Sequence, residues 1–236
     1  MRLNKYIASC GVCSRREADK LIEDKRITVN GNIALLATQV TEDDEVCFDG
    51  KLIQPAKSKT VLAYYKPVGV VCTENDVHAE RTVIEDLGYD KRVTYAGRLD
   101  KDSEGLLIMS DDGDLINAMM RSANKHEKEY VVTVDKDVTD DFISRMASGV
   151  FLHELNVKTR KCAVKKIGKR SFDIVLTQGL NRQIRRMCAE LGFEVVKLKR
   201  IRVMTVSLDE LNLKPGQYKK LSDDEKKILY GKAGLK

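Results

Sequence analysis

The chain has no tryptophan, three prolines and three histidines. The histidines, at positions 78, 126 and 153, are too scattered to suggest a ligand cluster, so no metal is expected. No apolar run approaches the roughly 20 residues that a membrane-spanning helix needs. The opening Met1-Arg2-Leu3-Asn4-Lys5 has no apolar stretch behind it, so no secretion leader and no membrane are expected, and the expected location is cytoplasmic. The patterns GxGxxG, GxSxG, HExxH and GxxxxGK followed by Ser or Thr are all missing. An enzyme without them must work with carboxylates, Lys, Arg, Tyr or Cys. The six cysteines (10, 13, 47, 72, 162, 188) are dispersed, which favours reduced thiols over a disulfide framework. Cys10-Gly11-Val12-Cys13 has no second CxxC and no strand before it, so it reads as two small residues packing a helix turn.

What is present is a highly charged globular chain. Its 236 residues, 42% hydrophobic and 33% charged, suit one large domain or two smaller ones. The net charge is +6, unevenly spread. From Asn156 to Arg202 there are fourteen Lys and Arg against Asp173, Glu190 and Glu194, a local charge of +11 that leaves −5 for the rest. Such segregation points to a polyanion, with a solvated basic face as the plain alternative.

The first 56 residues read as a unit. Leu3, Tyr6 and Ile7 have helical spacing, and Ser14-Arg15-Arg16-Glu17 is a capping box ahead of the stripe Ala18, Leu21, Ile22. Ile27-Thr28-Val29 runs into Asn30-Gly31, a hairpin turn signal, and Val46-Cys47-Phe48 into Asp49-Gly50. Pro55 to Lys59 is the best linker candidate, giving domains 1–56 and 61–236 joined by 57–60. Beyond it, strands are expected at 61–65, 70–72, 106–109, 130–134, 172–176 and 203–208, and helices at 115–120, 139–148 and 181–191. No regular βαβ repeat emerges, so the class is α+β.

Three polar clusters could carry chemistry. Gly97-Arg98-Leu99-Asp100-Lys101-Asp102-Ser103-Glu104-Gly105 is a glycine-bracketed loop entering the apolar run Leu106–Met109; alone, it reads as a solvated turn. Gln178 to Met187 leads into a helix with Arg182, Arg185 and Arg186 in its first two turns, against the helix macrodipole, which suggests a phosphate or an ion-pair partner. Lys125 to Val131 places Tyr130 at the head of a strand, where a core aromatic is the ordinary reading.

Taken together, these segments resemble the pseudouridine synthases of the RsuA/RluB/RluE/RluF family. The first motif matches Lys66-Pro67-Val68-Gly69, and the signature matches Gly97–Asp100 with Asp102–Leu107. The tyrosine motif matches Glu127–Tyr130, the basic motif Gly179–Met187, and the last motif Val196–Arg202. Residues 2–6 and 13–18 resemble an S4 RNA-binding domain. The wording His126–Tyr130 and Gly179–Cys188 is most like the RluF type, which acts on large-subunit (23S) ribosomal RNA.

The resemblance implies an S4-type domain followed by a synthase domain on a mixed, largely antiparallel sheet with flanking helices. It implies conversion of uridine to pseudouridine after base flipping, without a cofactor, in ribosomal RNA, with transfer RNA as a possible second substrate and a monomeric protein. Asp100 would be the nucleophile; attack at the sugar, attack at the ring and action as a base all stay open. Arg185 would pair with it, Tyr130 would stack on the uracil and pass a proton, and Leu198, rather than Ile201, would floor the ring. Arg98, Arg182, Arg186 and, in the first unit, Arg2, Lys5, Arg15 and Arg16 would bind RNA. Asp102 and Glu104 read as turn-capping, solvated carboxylates. The competing classes are an RNA-binding assembly factor with no turnover and an aspartate-dependent hydrolase, which would need a metal or water-positioning base.

Overall fold

The computed structural model describes residues 1–56, 58–73 and 80–235; Lys57 of the expected linker, His78 and Lys236 lie outside them. The chain divides into two compact units: residues 1–60 with the segments 89–94 and 111–113, and residues 61–88, 95–110 and 114–236.

In the first unit, α1 (Leu3–Ser9) and α2 (Arg15–Glu23) precede β1 (Ile27–Val29), β2 (Asn32–Ile33), β3 (Val46–Phe48) and β4 (Lys51–Leu52). The capping box is formed: Ser14 Oγ accepts from the Glu17 amide at 3.2 Å, and Glu17 Oε2 accepts from the Ser14 amide at 2.8 Å. Asn30 and Gly31 both take positive φ, as do Asp49 and Gly50, so each pair turns the chain between antiparallel strands. The sheet order is β2-β1-β3-β4. Leu3, Ile7, Ala18, Ile22, Ile27 and Val46 form its core. Cys10 and Cys13 pack at the edge of that core, and burial pushes the Cys10 thiol up to about 11, which suits a packing role.

The second unit is built on one large sheet. Its main elements are β5 (Val61–Lys66), α3 (Val83–Leu87), β6 (Glu104–Ser110), α4 (Gly113–Met120), β7 (Lys128–Val134), α5 (Asp140–Ala147), β8 (Ala163–Gly168), β9 (Ser171–Leu176), α6 (Gln183–Glu190), β10 (Val195–Val203), β11 (Tyr218–Lys220) and α7 (Asp223–Lys232). The strands run in the order β8-β9-β7-β10-β6-β5-β11, and the two-residue strands Thr94–Tyr95 and Val206–Ser207 attach to β6 and β10. The pairings along this path are antiparallel except β10 with β6, which is parallel. Helices cover the sheet through two apolar clusters. Ala63, Tyr65, Leu106 and Ile108 pack with Leu115 and Leu229, while Val132, Phe172 and Ile174 pack with Phe142, Met146 and Met187. Each of the larger aliphatic, Phe and Met side chains contributes about 1.5–3 kcal/mol on burial, so the two clusters fix the sheet on either side of the parallel seam.

Two expectations are corrected, and two features go beyond what was expected. The strand expected at 203–208 is instead β10, a turn with Met204 at φ +54°, the pair Val206–Ser207 and a short helix from Leu208. β10 carries four cations yet lies centrally in the sheet, which apolar patterning does not anticipate. Val71 forms only an isolated bridge with Thr82 rather than a strand. The helices α3 and α7 were not expected, although Thr82/Glu85 and Ser222/Glu225 are capping boxes of the kind read correctly at Ser14.

Candidate active site

β6 and β10 pair only at Lys199↔Glu104 and Arg200↔Gly105. The 97–103 loop that feeds β6 therefore leaves the sheet and must be held by other means. Ser103 donates its amide to the Asp100 carbonyl at 3.1 Å, closing a turn. From the first motif, the Gly69 amide donates to Lys101 O at 2.8 Å, and the fully buried Lys66 ammonium donates to Ser103 O at 2.8 Å. From β10, Arg200, 1% exposed, donates to Leu106 O at 2.7 Å and to Gly97 O at 3.3 Å, so one guanidinium ties both ends of the loop. Gly105 makes this close approach possible: a Cβ there would lie 2.2 Å from Arg200 O, and its φ is +116°.

The basic segment closes the loop from the other side. Arg182 occupies the N-cap of α6 in the left-handed region, φ +49°. Its guanidinium meets Asp102 at 3.1 and 3.4 Å and approaches Asp100 Oδ2 at 3.6 Å. Arg185 reaches Asp102 Oδ2 at 3.2 Å, Asp102 O at 3.0 Å, Ser103 Oγ at 3.4 Å and Val195 O at 3.0 Å. Burial pushes the Asp102 carboxyl up, but the two arginines outweigh it and hold it below the usual range.

Above the loop lies a cleft of about 450 Å³, within the roughly 300–1,000 Å³ typical of ligand sites. Among the described residues, Asp100 is the one acidic residue lining it, against Arg98, Arg121, Lys128, Arg160, Arg182 and Arg200. Tyr130 and Leu198 line it too, Leu198 being 7% exposed. A half-exposed carboxylate ringed by cations, beside an aromatic and an apolar wall, can bind an anionic chain and engage one planar base. Among the described residues, no group of three or more His, Cys, Asp or Glu is placed to hold a metal ion.

Residues 60–190 match the family described as RNA pseudouridylate synthase, and residues 1–46 match the S4 domain. The dual-specificity RNA pseudouridine synthase RluF of Escherichia coli K12 is 48% identical over 95% of this chain and 77% of its own length. The ribosomal large subunit pseudouridine synthase B of Pseudomonas aeruginosa is 34% identical over 100% of this chain and 63% of its own. A solved structure described as a pseudouridylate synthase superposes with a TM-score of 0.71 at 28% identity, covering 97% of this chain and 99% of that one. The chain belongs to the RNA pseudouridylate synthases. It is an RNA-modifying isomerase with an S4 domain, and its sheet is the mixed, largely antiparallel one that membership leads one to expect.

In this synthase, the structure gathers Asp100, Tyr130, Leu198, Arg98 and Arg182 around one cleft and leaves Ile201 out of its lining. Arg185 is a correction. It neither lines the cleft nor pairs with Asp100; its ion pair is with Asp102, and Arg182 is the cation nearest Asp100. Because α6 starts at Gln183, Arg182 swings from the cap over the loop, whereas Arg185 faces the start of β10. Asp102 and Glu104 are corrected as well: the first anchors both arginines, and the second accepts from the Tyr65 hydroxyl at 3.0 Å. Arg186 is spent on Asn181 and Glu154 rather than on the cleft. In the S4 unit, Arg2, Arg15 and Arg16 are exposed and Lys5 is half-buried. Sequence reasoning missed Arg200, Arg160, Arg121 and Lys128 as cleft residues. For Lys128 and Arg200 the signal was available, since each sits an even number of residues from Tyr130 or Leu198 on its strand.

Proposed function

We propose that this synthase converts a uridine of large-subunit ribosomal RNA to pseudouridine, with Asp100 as the catalytic carboxylate. The observation that carries the reading is Asp100 standing, among the described residues, as the one acid among six cations in the cleft. The target nucleotide leaves its stack and enters the cleft, because C1′ and C5 are out of reach in a paired helix. The bond from C1′ to N1 breaks, the uracil turns, and a bond from C1′ to C5 forms. The proton on C5 departs and N1 gains one, so composition is unchanged and no cofactor is consumed. Asp100 engages the reacting nucleotide. Arg182, in the place expected of Arg185, sets its electrostatics. Tyr130 stacks on the base, with its hydroxyl available for proton transfer, and Leu198 forms the floor. Arg98 holds backbone or the space vacated by the base, while Arg2, Lys5, Arg15 and Arg16 add affinity from the S4 unit.

The names of the relatives support the substrate: one is a large-subunit enzyme, and another is called dual-specificity, which favours a second RNA, for which transfer RNA is the candidate. A monomer acting in the cytoplasm completes the reading. The test is Asp100→Ala on an unmodified large-subunit RNA transcript. Turnover should vanish while the dissociation constant stays within about threefold of wild type, a shift under 1 kcal/mol. Pseudouridine made by that variant would end the claim, and binding without turnover by wild type on every RNA tried would leave an assembly factor instead.

A further inference from the structure

Lys128 opens β7 two residues before Tyr130, so strand alternation puts both side chains on the face that lines the cleft, roughly 7 Å apart. Its stem lies along the start of the catalytic loop, with Cε 3.9 Å from where a Gly97 Cβ would be. The side chain is half-buried, and among the described residues it makes no hydrogen bond or ion pair. The charged or titratable groups that face it are Arg200 on β10 and His126 at the head of its own strand. Its neighbours across the sheet, Leu176 and Val203, are apolar, as is Met120 of α4 by Gly97. A half-buried cation beside a second cation, with no acid paired to it among the described residues, is costly to the empty protein. An anion entering the cleft would offset that cost.

We propose that Lys128 is the anchor for a backbone phosphate of the flipped nucleotide, beside the base that Tyr130 stacks. The proposal rests on the reading of the cleft as an RNA site and adds a residue to it. Burial, and then Arg200, push the ammonium down to about 8, so the empty enzyme loses this charge as pH rises through 8. A bound phosphate favours the charged form, so RNA binding takes up a proton above that pH. Affinity for RNA should therefore fall between pH 8 and 9.5.

The experiment measures binding and single-turnover pseudouridine formation on a large-subunit RNA transcript for wild type, Lys128→Met and Lys128→Arg. For Lys128→Met the dissociation constant should rise on the order of tenfold or more, and the slope of log affinity against log salt should shrink by roughly one phosphate's share. Lys128→Arg should keep the salt slope and lose the fall in affinity above pH 8. Lys128→Met should melt no lower than wild type at pH 7, since it removes a half-buried charge with no paired acid among the described residues. Wild-type affinity in Lys128→Met at both pH values would overturn the anchor. So would unchanged affinity with lost turnover at saturating RNA, which would move Lys128 into the chemistry. These binding arms stand apart from catalysis: a wild type that binds RNA but forms no pseudouridine defeats the functional reading and leaves the phosphate anchor to be judged on its own data.

Discussion

At the scale of single residues, the arrangement separates two arginines that sequence alone treats as equals. Arg182 is 42% exposed, and its guanidinium hangs over Asp100 and Asp102. Arg185 is 14% exposed, and its two terminal nitrogens donate to Asp102, Ser103 and Val195. The first can act on a bound nucleotide, and the second braces the loop. Arg182→Ala should cut turnover on the order of a hundredfold, the scale of one lost electrostatic stabiliser, and shift the melting temperature little, because exposed pairs contribute about 0–1 kcal/mol. Arg185→Ala should instead destabilise the fold by about 2–3 kcal/mol, the cost of leaving charge-assisted partners unmet. Thermal melts beside single-turnover rates decide between them, and the reverse pattern would return Arg185 to Asp100. Both clamps use the ionised form of Asp102, whose carboxyl is held below its usual range. A depressed carboxylate contributes stability above its unfolded value near 4 and loses it as pH falls through the folded value, so the loop clamp should persist to about pH 4.

Elements place these residues through contacts that local pattern does not announce. The parallel seam of β6 and β10 depends on Gly105, where backbone meets backbone. Gly105→Ala should cost roughly 3 kcal/mol or more, because a methyl group 2.2 Å from a carbonyl oxygen cannot be absorbed by a side-chain rotation. Chemical denaturation would show it, and a variant within 1 kcal/mol of wild type would mean that the strands separate freely. Much was legible in advance: the Ser14 capping box, the Asn30-Gly31 turn, α5 behind Thr139 and the strand around Tyr130 all follow periods and caps. The course of Val195–Val203 was not. Its Lys and Arg residues argue for a surface, and only the tertiary arrangement puts Arg200 in the core, where carbonyl oxygens from two segments meet its guanidinium. The same limit explains Arg185. Sequence spacing gave a basic helix start, but which arginine faces Asp100 depends on the residue at which α6 begins.

Across the whole molecule, positive charge is presented in more than one place. The catalytic unit carries the +11 stretch and, among the described residues, six cleft cations, while the S4 unit presents Arg15 and Arg16 on the exposed start of α2. Arg15 is tethered weakly, to Asn4 at 3.4 Å, and both side chains are exposed. Replacing both by Ala should leave the melting temperature within a degree or two, because exposed substitutions usually change stability by no more than about 0.5 kcal/mol. It should weaken RNA binding and flatten its salt dependence by up to two phosphates' share, since each neutralised phosphate adds roughly 0.7–0.9 to the slope. The single-turnover rate at saturating RNA should stay near wild type, because neither residue is part of the cleft. An unchanged salt slope would remove α2 from the RNA-binding surface. A lowered rate at saturation would show that the S4 unit sets the register of the target nucleotide as well as its affinity.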